Sequence, residues 1–115
     1  MDIELSQSIV DGSAVLAISG EVDVYSAPAF RERIVQLLDA DPALVIDLTG
    51  LDFIDSTGLG VLVAGRNRAL EHGGAMTFVC TAERVLKLLR ITGLDSVFAV
   101  HADVEQAVAG LRAAR

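Results

Sequence analysis

Polar and apolar residues alternate along the first part of the chain. The alternation covers residues 3–10 and 14–22, and the Asp-Gly-Ser sequence between them is typical of a tight turn. A period of two residues places every second side chain on the same face of a strand. The pattern therefore predicts a hairpin of two strands at the start of the fold.

The next segment changes from a strand period to a helical period. A helix is predicted to begin after an N-cap at Ser26, with Pro28 in its first turn, and to end near Asp39. Its apolar face consists of Phe30, Ile34, Leu37 and Leu38. This spacing is typical of an amphipathic helix that packs on a sheet.

Strands and helices then alternate to the end of the chain. Continuous apolar runs predict strands over 43–48, 75–80 and 96–100, and helical spacing predicts helices over about 57–71, 82–92 and 102–114. The buried face of the second helix is predicted to contain Leu59, Leu62, Val63, Asn67 and Leu70. Because strands joined by helices require crossovers, the sequence predicts an α/β domain with parallel pairing after the hairpin.

Composition and charge exclude several classes of protein. Apolar residues make up 52% of the 115 residues, yet no run approaches the roughly 20 uninterrupted apolar residues of a membrane helix, and the start MDIELSQSIV lacks the basic segment of a signal peptide. We therefore expect a soluble, cytoplasmic protein without membrane contacts. The formal net charge of −7 has the wrong sign for a phosphate backbone, so nucleic acid is not an expected partner.

Few residues could support catalysis or metal binding. Neither His72 nor His101 has a second histidine or cysteine at ligand spacing, and Cys80 alone makes neither a disulfide nor a metal site. The glycines that begin at Gly58 match neither a dinucleotide fingerprint nor a phosphate loop. A phosphoaspartate receiver built on Asp47 would need a lysine after its last strand, and none is there. We therefore expect no catalytic residue, no cofactor and no metal.

The stretch Asp55–Gly58 places three hydrogen-bonding side chains before the second helix, where one cap suffices. Aspartate, serine and threonine accept hydrogen bonds from the unpaired N–H groups of a first helical turn, so capping without further function is one interpretation. Because the apolar residues that follow fix the buried face of the helix, at least one of Ser56 and Thr57 is expected to point to solvent. A helix N-terminus also accommodates a phosphorylated residue, whose charge is about −1.5 to −2.

Several separated segments together resemble the STAS domains, and within them the small SpoIIAA-like anti-sigma factor antagonists. The segments are SGEVDVYSAP (19–28), LVIDLTGLDFIDSTGLGVLV (44–63), HGGAMTFVC (72–80) and VLKLLRITGLDSVFAV (85–100). They span nearly the whole chain, and Asp-Ser-Thr-Gly-Leu-Gly is the specific part. The resemblance implies a single STAS domain over residues 1–115, with a mixed four- to five-stranded sheet and about four helices packed mainly on one face.

The resemblance also implies an anti-anti-sigma factor that is switched by a serine phosphate. In that family the unphosphorylated antagonist binds an anti-sigma factor that is itself a serine kinase, and a PP2C-type phosphatase restores the active form. Ser56 matches the phosphorylated position, with Thr57 as the second choice, and the partner-binding residues are expected to be Asp23, Asp55, Ser56, Thr57 and Gly58. From the residues alone, Asp23 could equally be a turn residue and Asp55 a cap.

An alternative is a STAS scaffold or accessory subunit of a stressosome-like or transport complex. In that case the same fold would assemble or anchor other proteins without releasing a sigma factor. A large homo-assembly would favour the alternative, whereas the antagonist is expected to be a monomer or a weak dimer.

Overall fold

The computed structural model describes residues 2–114, which form one five-stranded sheet and four α-helices. The strands are β1 (Ile3–Val10), β2 (Ser13–Val22), β3 (Ala43–Ile54), β4 (Ala75–Val79) and β5 (Ala99–His101). The helices are α1 (Ala27–Ala40), α2 (Ser56–Glu71), α3 (Glu83–Ile91) and α4 (Val104–Ala114), and a short 3-10 helix covers Leu94–Ser96. No helix within residues 2–114 is long and apolar enough to cross a membrane.

The predicted hairpin is confirmed. β1 and β2 pair antiparallel from Ile3 opposite Gly20 to Val10 opposite Ser13. The two residues between the strands, Asp11 and Gly12, both have positive φ, at 48° and 80°. Two consecutive residues of this conformation make the tight turn that matches the twist of an antiparallel pair.

The sheet is mixed, as the resemblance implied. Its strand order is β1-β2-β3-β4-β5, and every pair after the hairpin is parallel. Each parallel connection crosses over through a helix, so α1, α2 and α3 follow β2, β3 and β4 in turn. The carboxyl ends of four strands therefore meet at one edge of the sheet.

The helices divide unequally between the two faces of the sheet. The buried side chains of α1, α2 and α3 join the larger apolar core, with Phe30, Leu62 and Leu89 at its centre. α4 covers the opposite face, where Leu111 packs in a second cluster with Val45. Packing mainly on one face is thus confirmed.

β3 is longer than the predicted strand over 43–48, because it continues to Ile54. The predicted strand ended two residues before Gly50. In the structure Gly50 lies within the strand, where a Cβ atom would stand 2.9 Å from the Cβ of Ser19 on β2. The glycine is required because the two strands approach each other closely. In the sequence alone, a glycine at this position looks like a turn residue.

Two other details of the prediction were wrong, and a third, the N-cap of α1, was confirmed in its position only. Asn67 and Leu70 are exposed, since α2 packs instead through small residues such as Gly65 and Ala69, which let it approach the sheet closely. The last strand covers Ala99–His101 rather than 96–100, because a 3-10 turn takes up the residues before it. Ser26 stands at the N-cap of α1 but makes no capping bond.

Candidate functional site at the start of α2

Two strand-to-helix connections, β2 to α1 and β3 to α2, lie side by side at the carboxyl ends of the strands. Val22 at the end of β2 pairs with Ile54 at the end of β3, and the backbone N–H of Asp55 donates to the carbonyl of Val22 over 3.2 Å. The turn that leads into α1 and the residues that begin α2 are therefore neighbours. This places the predicted site residues 23 and 55–58 in one region.

At the start of α2, two residues stabilise the fold and two others are exposed to solvent. The Asp55 carboxylate accepts a hydrogen bond from the backbone N–H of Gly58 at 3.0 Å, so Asp55 is the N-cap. Gly58 is buried, and a Cβ there would stand 2.5 Å from Cγ1 of Ile54. Ser56 and Thr57 are both exposed, and within residues 2–114 neither hydroxyl has a hydrogen-bond partner.

Asp23 organises the turn between β2 and α1. Its carboxylate accepts hydrogen bonds from the backbone N–H groups of Tyr25, at 2.9 Å, and Ser26, at 3.0 Å. The Ser26 bond is the main reason that the pKa of Asp23 is lowered, against burial, which raises it. The Ser26 hydroxyl accepts a hydrogen bond from the backbone N–H of Asp23 at 3.0 Å and donates to the Glu21 carbonyl at 2.8 Å, so it is used within the turn and does not cap α1.

This turn directs two apolar side chains into solvent. Val24 is 59% exposed and Tyr25 is 87% exposed, although Asp23 between β2 and these residues is only 9% exposed. Rigid exposed apolar residues are typical of protein-binding surfaces. The buried Asp23 thus acts on the surface by holding the turn that presents Val24 and Tyr25.

An open groove of about 580 Å³ adjoins the turn, between α1 and the first turns of α2. Its lining is mainly apolar, with charged side chains from α1: Val24, Ala27, Pro28, Arg31, Glu32, Val35, Gln36, Thr57 and Val61. Thr57 belongs to this lining and directly follows Ser56. The groove is therefore continuous with the turn through Val24 and with the start of α2 through Thr57, which is next to the exposed Ser56 in the chain.

The other residues considered for chemistry lie apart from this region. His72 places Nδ1 2.9 Å from the carbonyl of Arg68, and His101 packs against Gly110 of α4. Cys80 is buried, and burial raises the pKa of its thiol. Within residues 2–114, no cluster of histidine, cysteine and acidic side chains is arranged to hold a metal ion.

Sequence reasoning missed the apolar part of this surface. The available signal was a pair of large apolar residues, Val24 and Tyr25, between Asp23 and Ser26 in a segment too short for a strand. Turns at protein surfaces favour small and polar residues. Two large apolar side chains in such a turn are therefore an unusual feature that the sequence already displays.

Comparisons with known proteins agree on one family. The STAS domain family model matches residues 3–107. The anti-sigma-B factor antagonist of Bacillus subtilis is 35% identical over 94% of this chain and 99% of its own length. The anti-sigma-F factor antagonist RsfB of Mycobacterium tuberculosis is 33% identical over 91% of this chain and 86% of its own. A crystal structure of an anti-sigma factor antagonist from Mycobacterium paratuberculosis superimposes with a TM-score of 0.84, at 29% identity over 96% of this chain and 95% of that one.

Proposed function

Because this chain belongs to the STAS domain family, we propose that it is an anti-sigma factor antagonist whose unphosphorylated form binds an anti-sigma factor and so releases a sigma factor. The relatives named as antagonists support this class of function. The single observation that carries the proposed switch is the exposed hydroxyl of Ser56 at the first position of α2. In this proposal the protein acts by binding, and the chemistry belongs to its partners.

The proposed docking surface consists of Val24, Tyr25, the groove between α1 and α2, and the hydroxyls of Ser56 and Thr57. Tyr25 is its central anchor, since it is 87% exposed and is held by a turn whose backbone N–H groups are bonded to Asp23. A rigid aromatic side chain loses little entropy on binding and covers a large area. Asp23, Asp55 and Gly58 support this surface from beneath.

Phosphorylation of Ser56 by the anti-sigma factor, acting as a serine kinase, is the proposed off-switch. The first turn of a helix tolerates a phosphate, because its free N–H groups and the positive end of its dipole both favour negative charge. The fold is therefore expected to survive the modification. A partner carboxylate brought to about 4 Å would be repelled by on the order of 4 kcal/mol at an effective dielectric of 20, close to a thousandfold in affinity. A PP2C-type phosphatase would restore binding.

Phosphate mapping tests which hydroxyl is the switch. The chain is incubated with its anti-sigma factor kinase and ATP, and the modified residue is located by mass spectrometry. We expect the phosphate on Ser56 in the wild type and in Thr57→Ala, and none in Ser56→Ala. Phosphate found on Thr57 alone would move the switch to the second-choice hydroxyl, and phosphate on neither residue would reject the switch.

A charged substitution tests whether the switch acts on binding alone. Ser56→Asp is expected to weaken binding to the anti-sigma factor by at least about tenfold, equivalent to 1.4 kcal/mol. The control is Ser96→Asp, because Ser96 is exposed in the 3-10 helix before β5, at the opposite edge of the sheet. Both variants should melt within a few degrees of the wild type. Equal loss of binding in both variants would show that the effect is not local.

A further inference from the structure

β1 leaves one backbone edge of the sheet open. The strand lies at the end of the strand order and pairs only with β2 among residues 2–114. An open edge presents a row of unpaired N–H and C=O groups that can add another strand.

The hydrogen-bond pattern of the hairpin shows which groups of β1 face outward. The Glu21 N–H donates to the Asp2 carbonyl at 3.3 Å, on either side of the pair formed by Ile3 and Gly20. In an antiparallel ladder, that pattern makes Ile3 a non-hydrogen-bonded position relative to β2. The alternation then leaves the backbone groups of Ile3, Leu5, Gln7 and Ile9 directed away from the sheet.

This edge has few of the features that protect edge strands in monomeric proteins, and Glu4 is its single charged side chain. β1 is 8 residues long, contains no proline, lysine or arginine, and pairs with β2 without a bulge. Ile9 is also 71% exposed, whereas Ile3 and Leu5 on the same face pack partly against the main core. An exposed isoleucine at the end of this open strand is available for contact with a further strand.

We propose that β1 pairs antiparallel with β1 of a second copy of this chain, about a two-fold axis at Ser6. This register pairs Ile3 with Ile9 of the second copy and Leu5 with Gln7 of the second copy. Every outward-facing backbone group of the strand then gains a partner, and Ile9 is covered. The pairing places Glu4 opposite a neutral Ser8, so no like charges face each other across the strands.

Other registers pair fewer of the outward-facing backbone groups of β1. The two copies must shift in steps of two residues to keep outward-facing groups opposite each other. A step one way leaves Ile3 without a partner, and a step the other way leaves Ile9 exposed. The two-fold axis at Ser6 is therefore the favoured register for a closed pair.

The proposed dimer keeps both docking surfaces free. β2 of one copy runs antiparallel to β2 of the other in the joined sheet, so the carboxyl edges, and Ser56 with them, lie at opposite ends. Each copy could bind its own partner. The inference does not depend on the proposed function, since it concerns the outer side of β1 and not the carboxyl ends of the strands.

Sedimentation equilibrium of the full chain tests the pairing. A single strand from each copy makes a small interface, below about 1,200 Å², so association is expected to be weak and to show between about 10 µM and 1 mM. Gln7→Pro removes an outward N–H that β2 does not use, and it should keep the chain monomeric over this range. Gln7→Ala is the control, because it also loses the bond from Arg33 but keeps the backbone N–H.

A disulfide tests the register. Ser6 faces Ser6 of the second copy at a non-hydrogen-bonded pair, where Cβ atoms approach to about 4.5–5.5 Å, so Ser6→Cys should cross-link under mild oxidation. In Ser8→Cys the two thiols would lie about 13 Å apart along the strands, and cross-linking should be absent. The native Cys80 is buried and present in both variants.

Each outcome of the sedimentation and cross-linking experiments either supports or overturns the proposed pairing. A wild type that stays monomeric at 1 mM, or a dimer that Gln7→Pro leaves intact, would overturn the proposal, and cross-linking of Ser8→Cys as fast as Ser6→Cys would overturn the register. If Gln7→Pro fails to fold, Ile9→Lys replaces it. Its control is Ile91→Lys, since Ile91 on α3 has the same 71% exposure and should not affect dimerisation.

Discussion

Asp23 and Asp55 both precede a helix in the sequence, but their carboxylates bind different parts of the backbone. Asp55 caps α2 through Gly58, and Asp23 binds the backbone of the turn that precedes α1. Both carboxylates are engaged within the domain, whereas the Ser56 hydroxyl next to them has no bond among residues 2–114. The exposed Ser56 hydroxyl, which is the proposed site of phosphorylation, therefore lies beside two carboxylates that fix the backbone around it.

The stability of the Asp23 turn is expected to depend on pH. Hydrogen bonds from the backbone, that of Ser26 foremost, lower the pKa of Asp23 in the folded state. A depressed pKa adds stability above the unfolded value of about 3.9, and this stability is lost as pH falls through the folded pKa. Denaturant unfolding should show Asp23→Asn to be less stable than the wild type at neutral pH, with the difference shrinking below about pH 4. A difference that stays constant on acidification would contradict this role.

The sequence predicted the class of fold better than the site's surface. The α/β pattern, the hairpin and the position of Ser56 follow from periodicity and cap chemistry, which are local properties. The extension of β3 past Gly50 and the exposure of Leu70 depend on how closely neighbouring elements pack. The exposure of Tyr25 depends on the bonds of Asp23, which a linear pattern does not display.

At the scale of elements, two of the three glycines in α2 have opposite surroundings. The Cβ position of Gly58 meets Ile54 at 2.5 Å and Val22 at 2.8 Å, so this glycine lets the helix start against the ends of β2 and β3. The Cβ position of Gly60 has no atom within 4 Å among residues 2–114. Packing within the domain therefore explains Gly58 but not Gly60, which lies one turn beyond Ser56 on the exposed side.

Alanine substitution should separate these two roles. Gly60→Ala is expected to stabilise the domain by about 1 kcal/mol through helix propensity. It should also weaken anti-sigma factor binding, since the added methyl group stands one helical turn from Ser56, next to the proposed docking surface. Gly58→Ala should destabilise the domain by about 1–3 kcal/mol through overpacking. Urea denaturation and titration calorimetry measure the two effects, and a Gly60→Ala variant with unchanged affinity would remove Gly60 from the interface.

At the scale of the whole molecule, the sheet separates a face covered by α1, α2 and α3 from a face covered by α4. The larger core holds α1 and α2 together and thereby shapes the groove and the start of α2, while α4 closes the opposite face through Leu111 and Val45. The net charge of −7 acts over the entire molecule. Such a charge favours encounter with a partner whose surface is basic overall, and a single partner carboxylate beside Ser56 is compatible with such a surface.

The rate of association with the anti-sigma factor is therefore expected to fall as salt is added. Screening at 0.1 M shortens the reach of charge to about 10 Å, so stopped-flow association rates should drop more than dissociation rates. Two substitutions separate local from overall charge. Glu32→Lys in the groove and Asp95→Lys in the 3-10 helix each replace −1 by +1 and change the net charge from −7 to −5. We expect Glu32→Lys to slow association with the anti-sigma factor more than Asp95→Lys. Equal effects would mean that the partner responds to net charge alone, and a rate independent of salt would contradict a basic partner surface.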